Sequence, residues 1–126
     1  MLKAFEVARE QVQQGATEIT VFRVRGYLDA HTAPRFEEAL HQAADGQPNL
    51  LVDCAQLDYI SSAGLGLLID AYRSARARRG LLKVAGMSPA IAQIFDILGF
   101  SKVIQAYPSV AEALESFARP VEEPQR

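Results

Sequence analysis

Two adjacent serines, Ser61 and Ser62, are the side chains of this sequence whose types and spacing best suit chemistry. They lie in the stretch YISSAGLG, residues 59–66, between an apolar run and a long helical pattern. A serine hydroxyl can cap a helix or act as a nucleophile. Ser61 suits the N-cap, where its hydroxyl accepts a hydrogen bond from a first-turn N–H group that otherwise has no partner. Ser62 then falls at the first helical position, with its hydroxyl free to point outward.

The residues around these serines also indicate a strand end, a turn and a helix start. With Ser61 as the cap, Ile60 and Leu65 have the spacing of a hydrophobic staple. Gly64 and Gly66 follow within the first turn and a half, and each costs about 1 kcal/mol relative to alanine in a helix. Two glycines here indicate that something needs close access to the backbone, or that the helix packs tightly against its own sheet.

A nucleophilic role for Ser62 requires a general base, and the chain has two histidines, His31 and His41. A Ser62–His31–Asp29 triad is disfavoured, because Asp29 and His31 are nearly adjacent and the Gly-Xaa-Ser-Xaa-Gly elbow is absent. His41 falls on the polar face of a predicted helix. The sequence has no phosphate-binding glycine loop and no pair of cysteines or histidines at ligand spacing. We therefore predict no enzymatic activity, no metal site and no cofactor.

Length and composition favour one small cytoplasmic domain. The 126 residues suffice for a single core, and the net charge of −2 argues against a general nucleic-acid binder. No apolar run is long enough to span a membrane, and the N-terminus lacks a signal-peptide core. The single Cys54 lies in an apolar run and is best interpreted as a small buried side chain. We expect a domain over residues 1–118 and a flexible tail over residues 119–126.

A β-hairpin opens the predicted fold, with strands at 4–12 and 19–25 joined by a turn around Gly15. In the second strand we expect the face that carries Phe22 to form core. The opposite face, which carries Arg23 and Arg25, should be only partly covered.

Helices and strands alternate after the hairpin. We predict helices at 32–44, 62–79, 88–99 and from Ser109 to Phe117, and strands at 50–54, 81–85 and 103–107. Gly80 is the expected C′ residue of the second helix. The residues expected to face the core are Leu65, Leu68, Ile69 and Tyr72 on the second helix, and Ile91, Ile94, Phe95 and Leu98 on the third.

This alternation implies an α/β fold with one mixed sheet of four to five strands, packed with about four helices. Right-handed crossovers place the start of the second helix at the carboxyl end of the 50–54 strand. Binding sites of open α/β sheets tend to lie at such ends, so Ser62 stands where topology favours a function.

Three segments of the chain resemble one known family. ISSAGLG, residues 60–66, resembles the signature of STAS domains, and most closely that of the bacterial anti-sigma factor antagonists. GYLD, residues 26–29, resembles the end of the family's second strand. The residues at 88–89, 94–95 and 98–99 resemble its third-helix segment. The resemblance covers residues 5–117 and implies the STAS fold.

The resemblance also implies a binding module whose partner is an anti-sigma factor that is also a serine protein kinase. The serine two positions before Gly-Leu-Gly, here Ser62, is the family's phosphorylated residue. The unphosphorylated form would bind the anti-sigma factor and free a sigma factor, phosphorylation would end the binding, and a serine phosphatase would restore it. Many relatives have Asp where Ser61 stands, so the cap is kept here while the carboxylate is lost.

The partner face that we expect includes the serine motif and the loop after the second strand, which the resemblance places beside it. Its residues are Asp29, His31, Thr32, Ser61, Ser62, Ala63, Gly64, Leu65 and Leu67. Neither nucleic acid nor a membrane is expected as a direct partner, and the sequence does not fix the oligomeric state.

Two alternatives remain open at this stage. The chain could be a STAS module that serves another partner, in transport, lipid handling or stress signalling, without phosphorylation. It could also be a receiver-like signalling domain with Asp53 near a strand end. The opening hairpin disfavours the receiver, as does the lack of an acidic pair after the first strand.

Overall fold

A computed structural model describes residues 4–43 and 48–118 of the chain. The described part has the predicted α/β architecture, with a five-stranded mixed sheet and four α-helices. The strands are β1 (Glu6–Gln14), β2 (Thr17–Leu28), β3 (Leu50–Ile60), β4 (Leu82–Ala85) and β5 (Ala106–Tyr107). The helices are α1 (Ala33–Ala43), α2 (Ser62–Ala77), α3 (Pro89–Ile97) and α4 (Val110–Ala118), with a 3₁₀ turn at Phe100–Lys102. The predicted tail at 119–126 lies outside the described residues.

The strands follow one another across the sheet in chain order, β1-β2-β3-β4-β5. β1 and β2 form the predicted antiparallel hairpin, whereas β2, β3, β4 and β5 pair in parallel. A receiver domain needs a strand–helix alternation from its first strand, so the hairpin rules out the receiver-like alternative. Asp53 also lies within β3 and not at its end, and its carboxylate faces the guanidinium of Arg23 at 3.8 Å.

Two apolar clusters cover the two faces of the sheet. The Phe22 face of β2 belongs to the larger one, as predicted, and packs there against α1, α2 and α3. On the opposite face, Ile19 and Val21 are buried against α4. Beyond α4 the same face is exposed, where Arg23 pairs with Glu10 at 2.6 Å. The prediction that this face is only partly covered is therefore confirmed.

The strand that leads to the serines is twice as long as predicted. The continuous apolar run ends at Cys54, but β3 continues to Ile60. Its second half pairs with the end of β2, with register shifts on the way, and buries Leu57 and Ile60. β2 also extends beyond its predicted ends, and β1 is displaced by two residues. β3 therefore carries the site much farther from the centre of the sheet than expected.

The second helix ends at Ala77, two residues before its predicted end, and its C′ residue also differs from the prediction. Arg79, and not Gly80, adopts the left-handed conformation at C′, with φ of 69°. The N–H groups of Arg79 and Gly80 donate to the carbonyls of Arg76 and Ala75, which is the Schellman pattern. Gly80 is needed for another reason, because a Cβ there would lie 2.1 Å from the Pro48 carbonyl oxygen.

The third helix buries a narrower stripe than predicted. Ser88 caps it as expected, and Ile91 and Phe95 are buried. Ile94 and Leu98, however, are 40% and 57% exposed. The prediction is wrong for these two residues, and Phe100 of the 3₁₀ turn packs against the core instead, with its ring 5.7 Å from that of Phe95. The last strand is also shorter, at two residues.

Candidate functional site

The candidate site lies at the carboxyl ends of β2 and β3. Leu28 and Ile60 are register partners at the ends of these strands. One residue further on, the backbone N–H of Ser61 donates to the Leu28 carbonyl at 2.9 Å. The loop that begins at Asp29 and the helix that begins at Ser62 therefore leave the sheet side by side. This juxtaposition is the one that sequence reasoning expected.

Ser61 is the N-cap of α2, as predicted. Its backbone is extended (φ −94°, ψ 175°), and its Oγ accepts a hydrogen bond from the Gly64 N–H at 3.3 Å. Its carbonyl accepts the first intrahelical bond, from the N–H of Leu65. Ile60 and Leu65, the expected staple pair, are buried in the same apolar cluster. The hydroxyl of Ser61 is therefore engaged in holding the helix start.

Ser62 occupies the first position of α2 and is exposed to solvent. Within residues 4–43 and 48–118, no hydrogen bond engages its side chain. The N–H groups of Ser62 and Ala63 belong to the first turn, where a helix offers no intrahelical acceptor. The macrodipole adds partial positive charge at this end. A free hydroxyl thus stands on a surface that favours negative charge.

The two glycines of the motif have different surroundings. A Cβ at Gly64 would lie 2.8 Å from the Ile60 side chain and 2.9 Å from both the side chain and the carbonyl oxygen of Leu28. Gly64 is therefore required for α2 to pack against the ends of β2 and β3. A Cβ at Gly66 would meet nothing within 4 Å. Tight packing explains only the first glycine.

The loop after β2 is held by its own side chains. The Asp29 Oδ1 accepts from the backbone N–H groups of His31 (2.9 Å) and Thr32 (3.2 Å). The Thr32 hydroxyl donates to the Tyr27 carbonyl at 2.7 Å and accepts from the Asp29 N–H at 2.9 Å. The carboxylate of Asp29 is therefore used to shape the loop, in which Ala30 and His31 are exposed.

The side chains of the disfavoured Ser62–His31–Asp29 triad are not joined by hydrogen bonds in the described residues. In the part of the chain that the structure describes, no hydrogen bond connects the His31 ring with Asp29 or Ser62. No group of three or more His, Cys, Asp and Glu side chains within those residues is placed to hold a metal ion. The other nucleophile, Cys54, is buried, and burial together with the nearby charge of Asp53 raises the pKa of its thiol to about 12.

The predicted partner-face residues divide by accessibility. His31, Ser62 and Ala63 are exposed, and Asp29, Thr32 and Ser61 are half-buried. Gly64 and Leu65, which the prediction also places on the face, are buried in the free protein. Both belong to the serine motif and pack beneath its exposed residues, against the core.

Leu67 is half-buried and packs against the core. It lines a cavity of about 100 Å³ between α1 and α2, together with Leu40 and Ala71. Tyr59, two residues before the cap, is 45% exposed and is not among the predicted residues of the face. Its ring lies 5.5 Å from that of Tyr27. The sequence signal for this residue is an aromatic side chain close to the two serines.

The fold and the site together define a class of α/β proteins in which an exposed serine begins the helix that follows a central parallel strand. The STAS domain family model matches residues 10–113. The anti-sigma-B factor antagonist of Listeria monocytogenes is 34% identical over 101 residues, which are 79% of this chain and 87% of the relative. The chain belongs to the STAS domain family.

Solved structures agree with this assignment. An anti-sigma factor antagonist from Mycobacterium paratuberculosis is 26% identical, with a TM-score of 0.81 over 92% of this chain and 96% of that one. The antagonist SpoIIAA in its unphosphorylated form shares the fold at 21% identity, with a TM-score of 0.74 over 94% and 100% of the two chains. Bacillus SpoIIAA in the phosphorylated form is 22% identical, with a TM-score of 0.67 over 90% of this chain and 98% of that one. Among the described residues, no helix has the length and apolar character needed to cross a membrane.

Proposed function

We propose that this protein is an anti-sigma factor antagonist that is switched off by phosphorylation of Ser62. The observation that carries the proposal is that the two serines have different surroundings. Ser61 is occupied as the N-cap, with its Oγ bonded to the Gly64 N–H, whereas Ser62 is exposed at the first helical position. The relatives named as anti-sigma-B factor antagonists support the same function.

The unphosphorylated protein would bind an anti-sigma factor through the loop at Asp29–Thr32 and the exposed start of α2. This binding would free the sigma factor that the anti-sigma factor holds. The same partner would act as the serine protein kinase, and a serine phosphatase would return the protein to its binding form. The expected setting is the cytoplasm, and the protein itself would catalyse no reaction.

Phosphorylation has opposite effects on the free protein and on the complex. A phosphoserine carries about −1.5 to −2 charges at neutral pH. In the free protein this charge meets the first-turn N–H groups and the positive end of the macrodipole, which tolerate or mildly favour it. In a closed interface the same charge must lose its water, and an ion buried without compensation costs several kcal/mol. The modification would therefore end binding without unfolding the domain.

The direct test is phosphorylation by purified serine-kinase anti-sigma factors from the same genome, each incubated with this protein and ATP. We expect mass spectrometry to find phosphate on Ser62 in the wild type and in Ser61→Ala, and none in Ser62→Ala. Phosphate on Ser61, or equal labelling of Ser62→Ala, would contradict the assignment. Binding to such a partner without any phosphorylation would favour a STAS module that works by binding alone.

The absence of catalysis is tested separately, with a panel of ester, phosphate and nucleotide substrates and no partner present. We expect no turnover, since the His31 ring is bonded to neither Asp29 nor Ser62 within the described residues. Turnover that is lost in Ser62→Ala would show that the serine is a catalytic nucleophile after all.

A further inference from the structure

Gly66 is a glycine that the fold does not require. It lies within the regular helix α2, and a Cβ there would meet nothing within 4 Å. Its φ is not among the positive values that favour glycine. Alanine would therefore fit, and it would strengthen the helix, because glycine is less favourable than alanine in a helix interior. Gly64 provides the contrast, since Leu28 and Ile60 occupy the space that a Cβ there would need.

The surface around Gly66 is continuous with the serine. Gly66 follows Ser62 by four residues, so the two lie one above the other on the same face of the helix. Ala63 and Gly66 are both exposed, as is Ser62. No side chain among these three extends beyond the serine hydroxyl, so the backbone of the first helical turns is open to close approach. Glycine is the usual residue where a ligand or another chain must come close to a backbone.

We infer that Gly66 is a contact residue where main chain of the anti-sigma factor packs directly against α2. This inference rests on the proposed function, because the occupant is the partner that Ser62 would regulate. The contact places a partner segment over Gly66 and Ser62 together. A phosphate on Ser62 would then lie beneath the segment, one helical turn from Gly66, and would hold it away from the helix. Gly66 thus determines how closely the partner can approach the regulated hydroxyl.

The test adds side-chain volume at Gly66 and follows stability and affinity together. The variants are Gly66→Ala and Gly66→Gln, with Ala77→Gln as the matched control at an exposed position in the last turn of the same helix. Affinity is measured by calorimetry for the purified serine-kinase anti-sigma factor that binds the wild type. Gly66→Ala should raise the melting temperature by roughly 3–6 °C. It should also weaken binding by about tenfold or more, and Gly66→Gln should weaken it further.

Ala77→Gln should leave affinity within about twofold of the wild type, as an isolated surface change does. Wild-type affinity in both Gly66 variants would overturn the inference while leaving the proposed function in place. An equal loss in Ala77→Gln would overturn it too, since the effect would not be local to Gly66. A wild-type protein that binds no serine-kinase anti-sigma factor of its genome would overturn both proposals.

Discussion

The backbone N–H of Ser61 donates to the carbonyl oxygen of Leu28 at 2.9 Å, and this one bond joins the two chain segments of the candidate site. The same carbonyl lies 2.9 Å from the point where a Cβ on Gly64 would stand. The end of β2 is therefore held against the first turn of α2 from both the strand side and the helix side. We therefore expect a substitution in one segment to shift the position of the other.

The two serines should differ in what they contribute to stability. Ser61→Ala removes the oxygen that accepts the Gly64 N–H and should lower the free energy of unfolding by about 1 kcal/mol. Ser62→Ala removes an exposed hydroxyl and should change it by less than about 0.5 kcal/mol. Urea unfolding monitored by circular dichroism measures both. A larger loss in Ser62→Ala than in Ser61→Ala would reverse the cap assignment.

Charge at Ser62 should separate stability from affinity. We expect Ser62→Asp to stay folded, with a change of about 0.3–1 kcal/mol in its favour from the helix dipole. Its binding to the anti-sigma factor should weaken by more than about a hundredfold if the buried charge costs about 3 kcal/mol. Ser62→Ala should bind like the wild type and resist the kinase.

Thermal melting and calorimetry on the same preparations provide both numbers. Because aspartate carries less charge and fewer oxygens than phosphoserine, the enzymatically phosphorylated protein is the reference for Ser62→Asp. A phosphorylated protein that binds as tightly as the unmodified one would disprove the charge switch.

Gly64→Ala should destabilise the fold, in contrast to the effect expected at Gly66. The added methyl group would meet the Leu28 carbonyl and the side chains of Leu28 and Ile60 at 2.8–2.9 Å. Overpacking of this kind costs about 1–3 kcal/mol, because backbone must move to relieve it. Chemical denaturation measures the loss. An unchanged midpoint would mean that the two strand ends yield freely, and that α2 is less firmly seated than its contacts indicate.

Asp29→Ala should lower both stability and partner affinity. The Asp29 carboxylate accepts hydrogen bonds from the backbone N–H groups of His31 and Thr32, and both bonds are lost in this variant. Loss of these bonds should cost about 1–3 kcal/mol. Asp29→Asn keeps an acceptor oxygen and should recover most of the stability.

The comparison of the two Asp29 variants tests whether the residue acts by shaping the loop. If Asn restores stability and affinity together, the role is positioning. If Asn restores stability alone, the charge itself contacts the partner. Alanine with wild-type stability would show that the loop holds its shape without these hydrogen bonds.

Cys54 should be unreactive in the folded protein. Burial raises the pKa of its thiol from 9.0 to about 12, so the reactive thiolate is scarce near neutral pH. A disulfide reagent should label it only after unfolding in urea. The folded protein holds the thiol proton more tightly than the unfolded chain does. The protonated thiol therefore contributes fully to stability below about pH 9, and this contribution is lost as the pH rises towards 12. Rapid labelling of the native protein at pH 8 would contradict the burial.

The sequence by itself determined those features that depend on neighbours along the chain. Ser61 and Ser88 are caps because each hydroxyl accepts a hydrogen bond from the N–H group three residues further along the chain. The position of Ser62 follows directly, because it is the residue after a cap. The hairpin and the α/β class follow from the order of strand and helix patterns. The family signature follows from the motif and was confirmed by the family match.

Contacts between distant segments were decided only by the tertiary structure. Nothing local to Gly64 and Gly66 distinguishes them, and only the approach of Leu28 shows that one is needed for packing and the other is not. β3 continues beyond its apolar run because it pairs with the end of β2. Leu98 is 57% exposed, whereas Phe100, which lies beyond the helix, packs against Phe95. In each case the deciding atoms come from another element, and their position is set by packing rather than by sequence spacing.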